Sequence, residues 1–309
     1  MGCVSSLLFA SCADKAKKVD GFAHFSSDFD TTVAQGDDFY QFSNGGWLKT
    51  HPIPGEKSRL NTFDVLNDEN LERLRVIVEQ ARDKHAAQGS NEQKIGDYYA
   101  LAMDSLRRQK EGIEPIRPII ERIQSMSFNV KDSTFAENLA YFHLNLGNPF
   151  FAVGCTPDSK NSSMNIAELW QDGIGLPNRD YYFDESEKGQ EIIQGYKRMV
   201  AKYLELIGVD SSESRANAVY DFEKKLAGQM NTKVQNRDPQ AVYNKSSFDD
   251  LKKNYPDFNW DAYFNAFPVK PSELTVGQPR YFSNLFKTIA ETDSIPLSDY
   301  LLVATINYV

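Results

Sequence analysis

Four histidines, His24, His51, His85 and His143, are the side chains best suited to hold a metal or move a proton near neutral pH. None is followed by Glu and no two stand four apart, so the H-E-x-x-H zinc helix is absent from the 309 residues. Three cysteines, Cys3, Cys12 and Cys155, form no C-x-x-C pair, which excludes a cysteine zinc site. His143 stands beside Tyr141, Phe142 and Leu144 and reads as a satisfied core or boundary histidine. Cys155 falls in an apolar run and reads as an inert buried thiol rather than as a nucleophile paired with His143. Gly173-Ile174-Gly175 opens like a dinucleotide fingerprint but continues Leu176-Pro177-Asn178, so it is a loop and not a phosphate cradle. There is no G-x-S-x-G elbow and no P-loop. Neighbouring carboxylates, Asp221 with Glu223 and Asp249 with Asp250, read as solvated helix faces. The residues by themselves yield no catalytic constellation.

The elements that carry these residues are mostly helical. From Asp37 to Leu66 the chain is aromatic and broken by Asn44-Gly45-Gly46 and Pro52-Ile53-Pro54, which predicts extended or irregular backbone. A helix capped by Asn67 or Asp68 follows, with Leu71, Leu74, Ile77 and Val78 at helical spacing. Further helices are predicted over 91–109, 116–126, 134–146, 185–207, 213–235, 248–254, 260–267, 279–291 and from Leu297 onward. Residues 149–156 and 163–170 flank a turn-rich stretch and predict one small β-hairpin. The apolar helix that begins at Leu297 reaches Val309 with no Gly, Pro or basic stop signal. We therefore expect a mainly α fold that is incomplete at its C-terminus; a terminal helix docked on the core is the alternative.

Bulk composition narrows the partners. Apolar residues make up 41% and charged residues 25%, ordinary for a globular chain. A formal charge of −9 argues against a nucleic-acid partner, because phosphate binding needs a basic face. No apolar run reaches the roughly 18 residues that a spanning helix requires. Residues 1–12 end in Ala10-Ser11-Cys12 and read as a lipoprotein-type signal, with Cys12 bearing the lipid; residues 13–36 read as a tether. Two readings compete: N-myristoylation at Gly2 with Cys3 available for palmitate, and a terminus without a role. Either lipid would hold the chain at a membrane surface in the cell envelope.

Several stretches together resemble one family, that of neprilysin and endothelin-converting enzyme with its bacterial oligopeptidase relatives. They run in order from Gly36-Asp37-Asp38-Phe39-Tyr40 through Asn44-Gly45-Gly46-Trp47, Ser58-Arg59 and Phe63-Asp64-Val65-Leu66 to Lys94-Ile95-Gly96-Asp97-Tyr98-Tyr99. Asn148-Pro149-Phe150-Phe151 and Gln171-Asp172-Gly173-Ile174-Gly175-Leu176-Pro177-Asn178-Arg179-Asp180-Tyr181-Tyr182 follow, then Phe222-Glu223, Arg237-Asp238-Pro239 and Tyr243-Asn244.

The resemblance implies that residues 37–309 form a helical lid-type domain of a zinc metalloendopeptidase, ending before the zinc-binding half. It implies no cofactor in this chain, zinc in the missing catalytic domain, short peptides as substrates, and gating by steric exclusion. It places Arg59 where a guanidinium clamps the substrate's C-terminal carboxylate. A second arginine of that clamp is replaced here by Asn67, which favours internal cleavage over dipeptide release. Cysteines of the animal enzymes are replaced by Gly36, Asn44 and Ala102, as in the bacterial branch, and a bacterial origin suits lipidation at Cys12. The alternative function is a lipid-anchored helical module that binds peptides without cutting them.

Overall fold

The computed structural model describes residues 26–308 apart from Glu56 and Ser58. The readings on Gly2, Cys3, Cys12 and His24 lie outside the described residues. Within them the fold is mainly α, with twelve α-helices and a four-stranded sheet. Contacts divide the chain into two compact units, one up to Arg107 and one from Arg108.

The first unit departs most from expectation. Where irregular backbone was predicted, α1 runs over Phe39–Thr50, started by Asp38, whose carboxylate accepts from the Gln41 amide at 2.9 Å. Its glycine pair is a packing device rather than a turn. A Cβ on Gly46 would lie 2.1 Å from the Ser27 carbonyl oxygen, so only glycine lets residues 26–28 lie along the helix. Helix α2, Thr62–Asp83, is capped by Asn61, six residues before the first predicted cap. Asn61 and Asp64 form a reciprocal capping box there, each side chain accepting from the other's backbone N–H at 3.0 Å. Helix α3, Asn91–Met103, is capped by Ser90 and ends at Asp104; a separate α4, Ser105–Glu111, follows where one helix was predicted. Gly96 brings α3 against α2, since a Cβ there would stand 2.5 Å from the Ala81 carbonyl oxygen.

Helix α2 is amphipathic in an unusual direction. Its polar arc holds Arg75 paired with Glu72 and Glu79, while Leu71, Leu74 and Ile77, which the spacing marks for burial, are exposed. Among the described residues of this unit, Ala81 is the only buried apolar side chain outside glycine.

The second unit builds a continuous core. Helices α5 (Arg117–Gln124) and α6 (Ser133–Asn145) lead into β1 (Phe151–Asp158) and β2 (Asn161–Gln171), the predicted hairpin. Helices α7 (Glu187–Leu206) and α8 (Ser212–Gln229) follow. After them come β3 (Lys245–Ser247), α9 (Phe248–Asn254), α10 (Trp260–Asn265), β4 (Glu273–Val276), α11 (Pro279–Ala290) and α12 (Ser294–Tyr308). The hairpin proves to be half of a mixed sheet ordered β1-β2-β4-β3. Strands β1 and β2 pair antiparallel with Val153 opposite Leu169, and β4 runs parallel to β2. Phe151 is fully buried, with rings of Phe258, Trp260, Tyr263, Phe282 and Phe286 around it. Helix α12 buries Leu297, Tyr300, Leu301, Leu302 and Val303, so the apolar run near the end of the chain is packed. Arg215 of α8 grips the buried Asp299 of α12, Nε to Oδ2 at 2.6 Å.

Candidate functional site

The most site-like place in the molecule lies in the second unit, where the glycine loop 172–175 meets α6, α7, α8 and α12. These elements enclose a cavity of about 300 Å³ whose wall includes Asn148, Asp172, Tyr196, Glu223 and Tyr300. Phe150 adopts φ +67°, a left-handed conformation that costs a bulky residue on the order of 1–2 kcal/mol. Two tyrosines hold it there. The Phe150 N–H donates to the Tyr300 hydroxyl at 2.8 Å, and the Tyr281 hydroxyl donates to the Phe150 carbonyl. The same two phenols reach the loop: Tyr300 donates to the Gly173 carbonyl at 2.7 Å and Tyr281 to the Asp172 carbonyl at 2.9 Å. Gly173 has φ +89°, and a Cβ on it would sit 2.4 Å from the Phe150 nitrogen. Gly175 is required by Tyr196, whose hydroxyl would be 2.0 Å from a Cβ.

Glu223 is the second anchor. The sequence reading made it part of a solvated face; it is in fact buried, with 2% of its surface exposed. The Tyr196 hydroxyl donates to it at 2.7 Å and the Tyr182 hydroxyl at 2.8 Å, while Tyr182 accepts from the Leu176 N–H at 3.0 Å. Burial pushes the Glu223 carboxyl up to about 7, against the pull of hydrogen bonds from Tyr196, Tyr182 and the Gly175 backbone. Asp172 is likewise raised by burial, opposed by the Gly173 N–H and the Asn148 side chain. The signal for Glu223 was present in the sequence. Val219, Phe222, Glu223, Leu226 and Ala227 share one face of α8 at helical spacing, and all five are buried.

His143 and Cys155 do not line this cavity. His143 is half-buried, with Nε2–H donating to the Pro149 carbonyl at 2.9 Å and Nδ1 accepting from the Tyr263 hydroxyl. Burial lowers its pKa to about 4, so it stays neutral and structural, as its surroundings predicted. Cys155 corrects the reading of a buried thiol: it is exposed, because the buried part of β1 at Phe151 gives way to an exposed middle at Gly154 and Cys155. Arg59 belongs to the first unit, exposed just before the capping box of α2, and no hydrogen bond or ion pair engages it among the described residues. His51 stacks on Trp47 with ring centroids 4.5 Å apart.

The cavity brings together carboxyls and phenols but no Ser, Cys or His nucleophile, and no basic side chain lines it. Its arrangement fixes the fold around the loop. No covalent chemistry follows from it.

The sequence profile of Peptidase family M13 matches residues 35–309. The chain belongs to Peptidase family M13. Within M13 it is similar to endothelin-converting enzyme 1 of Bos taurus, 28% identical over 291 residues that are 89% of this chain and 38% of that protein. Its fold is similar to the zinc metalloprotease Zmp1 of Mycobacterium tuberculosis in complex with an inhibitor, with TM-score 0.80, 26% identity, and coverage of 91% of this chain and 43% of that one. Against the open state of Zmp1 the TM-score is 0.72, covering 89% of this chain and 43% of that one. This M13 chain thus spans about two fifths of the length of the relatives it matches. Family members are zinc metallopeptidases. Among the described residues of this chain no group of three or more His, Cys, Asp or Glu side chains is placed to hold a metal ion, so this stretch does not fit zinc.

Proposed function

We propose that this chain is the N-terminal, substrate-gating portion of a zinc metalloendopeptidase that hydrolyses short peptides, and that it is inactive by itself. The observation that carries the reading is the M13 match over 35–309 in a chain that spans 38% of endothelin-converting enzyme 1. The fold matches 43% of the zinc metalloprotease Zmp1 with TM-score 0.80, which fits a portion that covers the rest of such an enzyme. A cover of this kind selects substrates by size and excludes water without contributing a catalytic group.

In this reading Arg59 receives the C-terminal carboxylate of a bound peptide, which its exposure and the lack of a partner among the described residues support. Cys12 carries a lipid that holds the enzyme at the envelope surface, and zinc belongs to the catalytic portion. The test is to assay a quenched fluorogenic peptide with residues 1–309 alone and with the protein that includes the catalytic portion. Cleavage by the latter only, abolished by a chelator, is the expected result; cleavage by 1–309 alone would overturn it. In the active protein Arg59→Ala should raise KM for free-carboxylate peptides several-fold and leave KM for amidated ones unchanged. An equal effect on both would remove Arg59 from the site.

A further inference from the structure

Among the described residues the buried carboxyls are Asp30, Asp158, Glu223 and Asp299. All but one have a cation. Lys49 reaches Asp30 at 2.8 Å, Lys245 reaches Asp158 at 3.3 Å, and Arg215 holds Asp299 with Nε to Oδ2 at 2.6 Å. Glu223 is the exception: its donors are the phenols of Tyr196 and Tyr182 and the Gly175 backbone, all neutral. A buried carboxylate without a counter-charge is costly, and pairing is the usual remedy. Glu223 lies in the wall of the cavity beside loop 172–175, and half-buried Asp172 stands in the same wall. The other titratable groups there are Tyr196, Tyr300 and Tyr308, none of which can become a cation. Helix α6 ends at the cavity too, where Leu146, Gly147 and Asn148 line it, so the negative end of its dipole adds to the two carboxyls. An ionised carboxylate has about four acceptor sites. Glu223 fills three with the donors above, and Asp172 fills two, with the Gly173 N–H and the Asn148 side chain. The opposite wall is apolar, built from Phe142, Leu146, Met199, Leu301 and Val303.

We propose that this cavity binds a small organic cation, a primary ammonium on a short apolar body, with its charged group between Asp172 and Glu223. The reading goes beyond the peptidase role and does not depend on it. An ammonium carries three donors and no acceptor, the complement of two carboxylates with acceptor sites to spare. About 300 Å³ is the small end of ligand-sized cavities, which sets the size of the body. Calcium fits less well: it takes about six to eight oxygens, and no third carboxyl or other metal ligand joins these two among the described residues. A free amine and the N-terminus of a short peptide carry the same chemistry.

Isothermal titration of the chain 1–309 with phenethylamine near pH 8 tests this, with 2-phenylethanol as the uncharged counterpart. The amine should bind once per chain and the alcohol at least about tenfold more weakly. Asp172→Asn should weaken the amine by a similar factor with its circular dichroism unchanged, and Glu223→Gln takes its place if that variant does not fold. Asp221→Asn, on the exposed side of α8, should bind as wild type does. Wild-type affinity should fall as pH drops from 8 to 5, because the carboxyls take up protons while the amine stays charged. Equal binding of the alcohol, equal binding by both carboxamide variants, or an equal response to calcium chloride would overturn the proposal. So would no binding of the amine at all, which would leave a proton as the only partner of Glu223. Binding that vanishes in the protein that includes the catalytic portion would overturn it as well, since the cavity would then be filled by the chain itself. Competition by a short peptide but not by its N-acetyl form would support the proposal with peptide N-termini as the source; competition by neither would support it with free amines.

Discussion

The two units of this chain solve the burial problem in opposite ways. From Arg108 onward, helices and a small sheet close on a core of stacked aromatic rings around Phe151 and Phe258. Before Arg108, helices of equally regular geometry hold together through caps, ion pairs and glycine contacts, with their apolar sides turned outward. Helix formation is therefore local in both units, but stability is not. Caps and side-chain pairs define where α2 begins and runs, and each contributes about 0.3–1 kcal/mol. Packing supplies the rest, and only one unit has it.

The sharpest way to break this contrast is to remove a large side chain from each unit. Phe151→Ala should cost roughly 3–5 kcal/mol in urea unfolding of the isolated chain. Leu74→Ala should change the same midpoint by less than about 0.5 kcal/mol, because its side chain already meets water. Comparable losses would mean that the two units share one core. Next in size is Gly96→Ala, where the added methyl forces α3 off the Ala81 carbonyl at a cost of roughly 1–3 kcal/mol. Hydrogen exchange should quicken in α2 and α3 and stay unchanged in α7 and α8; uniform quickening would contradict two separable units.

The pH dependence of the second unit sharpens the comparison further. Glu223 has its pKa raised from 4.5 to about 7 in the fold, so the fold retains a proton that the unfolded chain releases. Its contribution to stability is fully present below pH 4.5, is lost progressively as pH rises to 7, and is constant above. His143 acts oppositely, since its pKa falls from 6.5 to about 4 and stability is lost as pH drops through that range. The difference between wild type and Glu223→Gln isolates the first effect. The wild-type urea midpoint should fall relative to that of the variant as pH rises from 5 to 7, and parallel curves would show that Glu223 does not titrate there. The smallest effect belongs to Cys155. Its thiol should react with a disulfide reagent in the native protein, and Cys155→Ser should shift stability by less than about 0.5 kcal/mol.

Much of the second unit was legible because its periodicities are strong. The hairpin, α6, α7 and α9 fall close to their predicted bounds, and the neutral role of His143 followed from its neighbours. Strands β3 and β4 were missed because three- and four-residue strands carry almost no periodic signal. The first unit was misread for a different reason. Gly45-Gly46 signals a turn in local terms, yet here each glycine serves a close tertiary contact inside a helix. The spacing of Leu71, Leu74 and Ile77 was read correctly as a helix face, but spacing cannot say which body buries it. Glu223 was misjudged through its type: a carboxylate suggests solvent, and only its position among Val219, Leu226 and Ala227 tells otherwise.

The scarcity of buried apolar side chains among the described residues before Arg108 also sets an order of events during synthesis. At roughly 5–20 residues per second, the ribosome needs about 10–40 s to add residues 108–309 after the first unit has emerged. Throughout that interval α2 has caps but no partner for its stripe, so the nascent N-terminal stretch stays loosely held and open to chaperones.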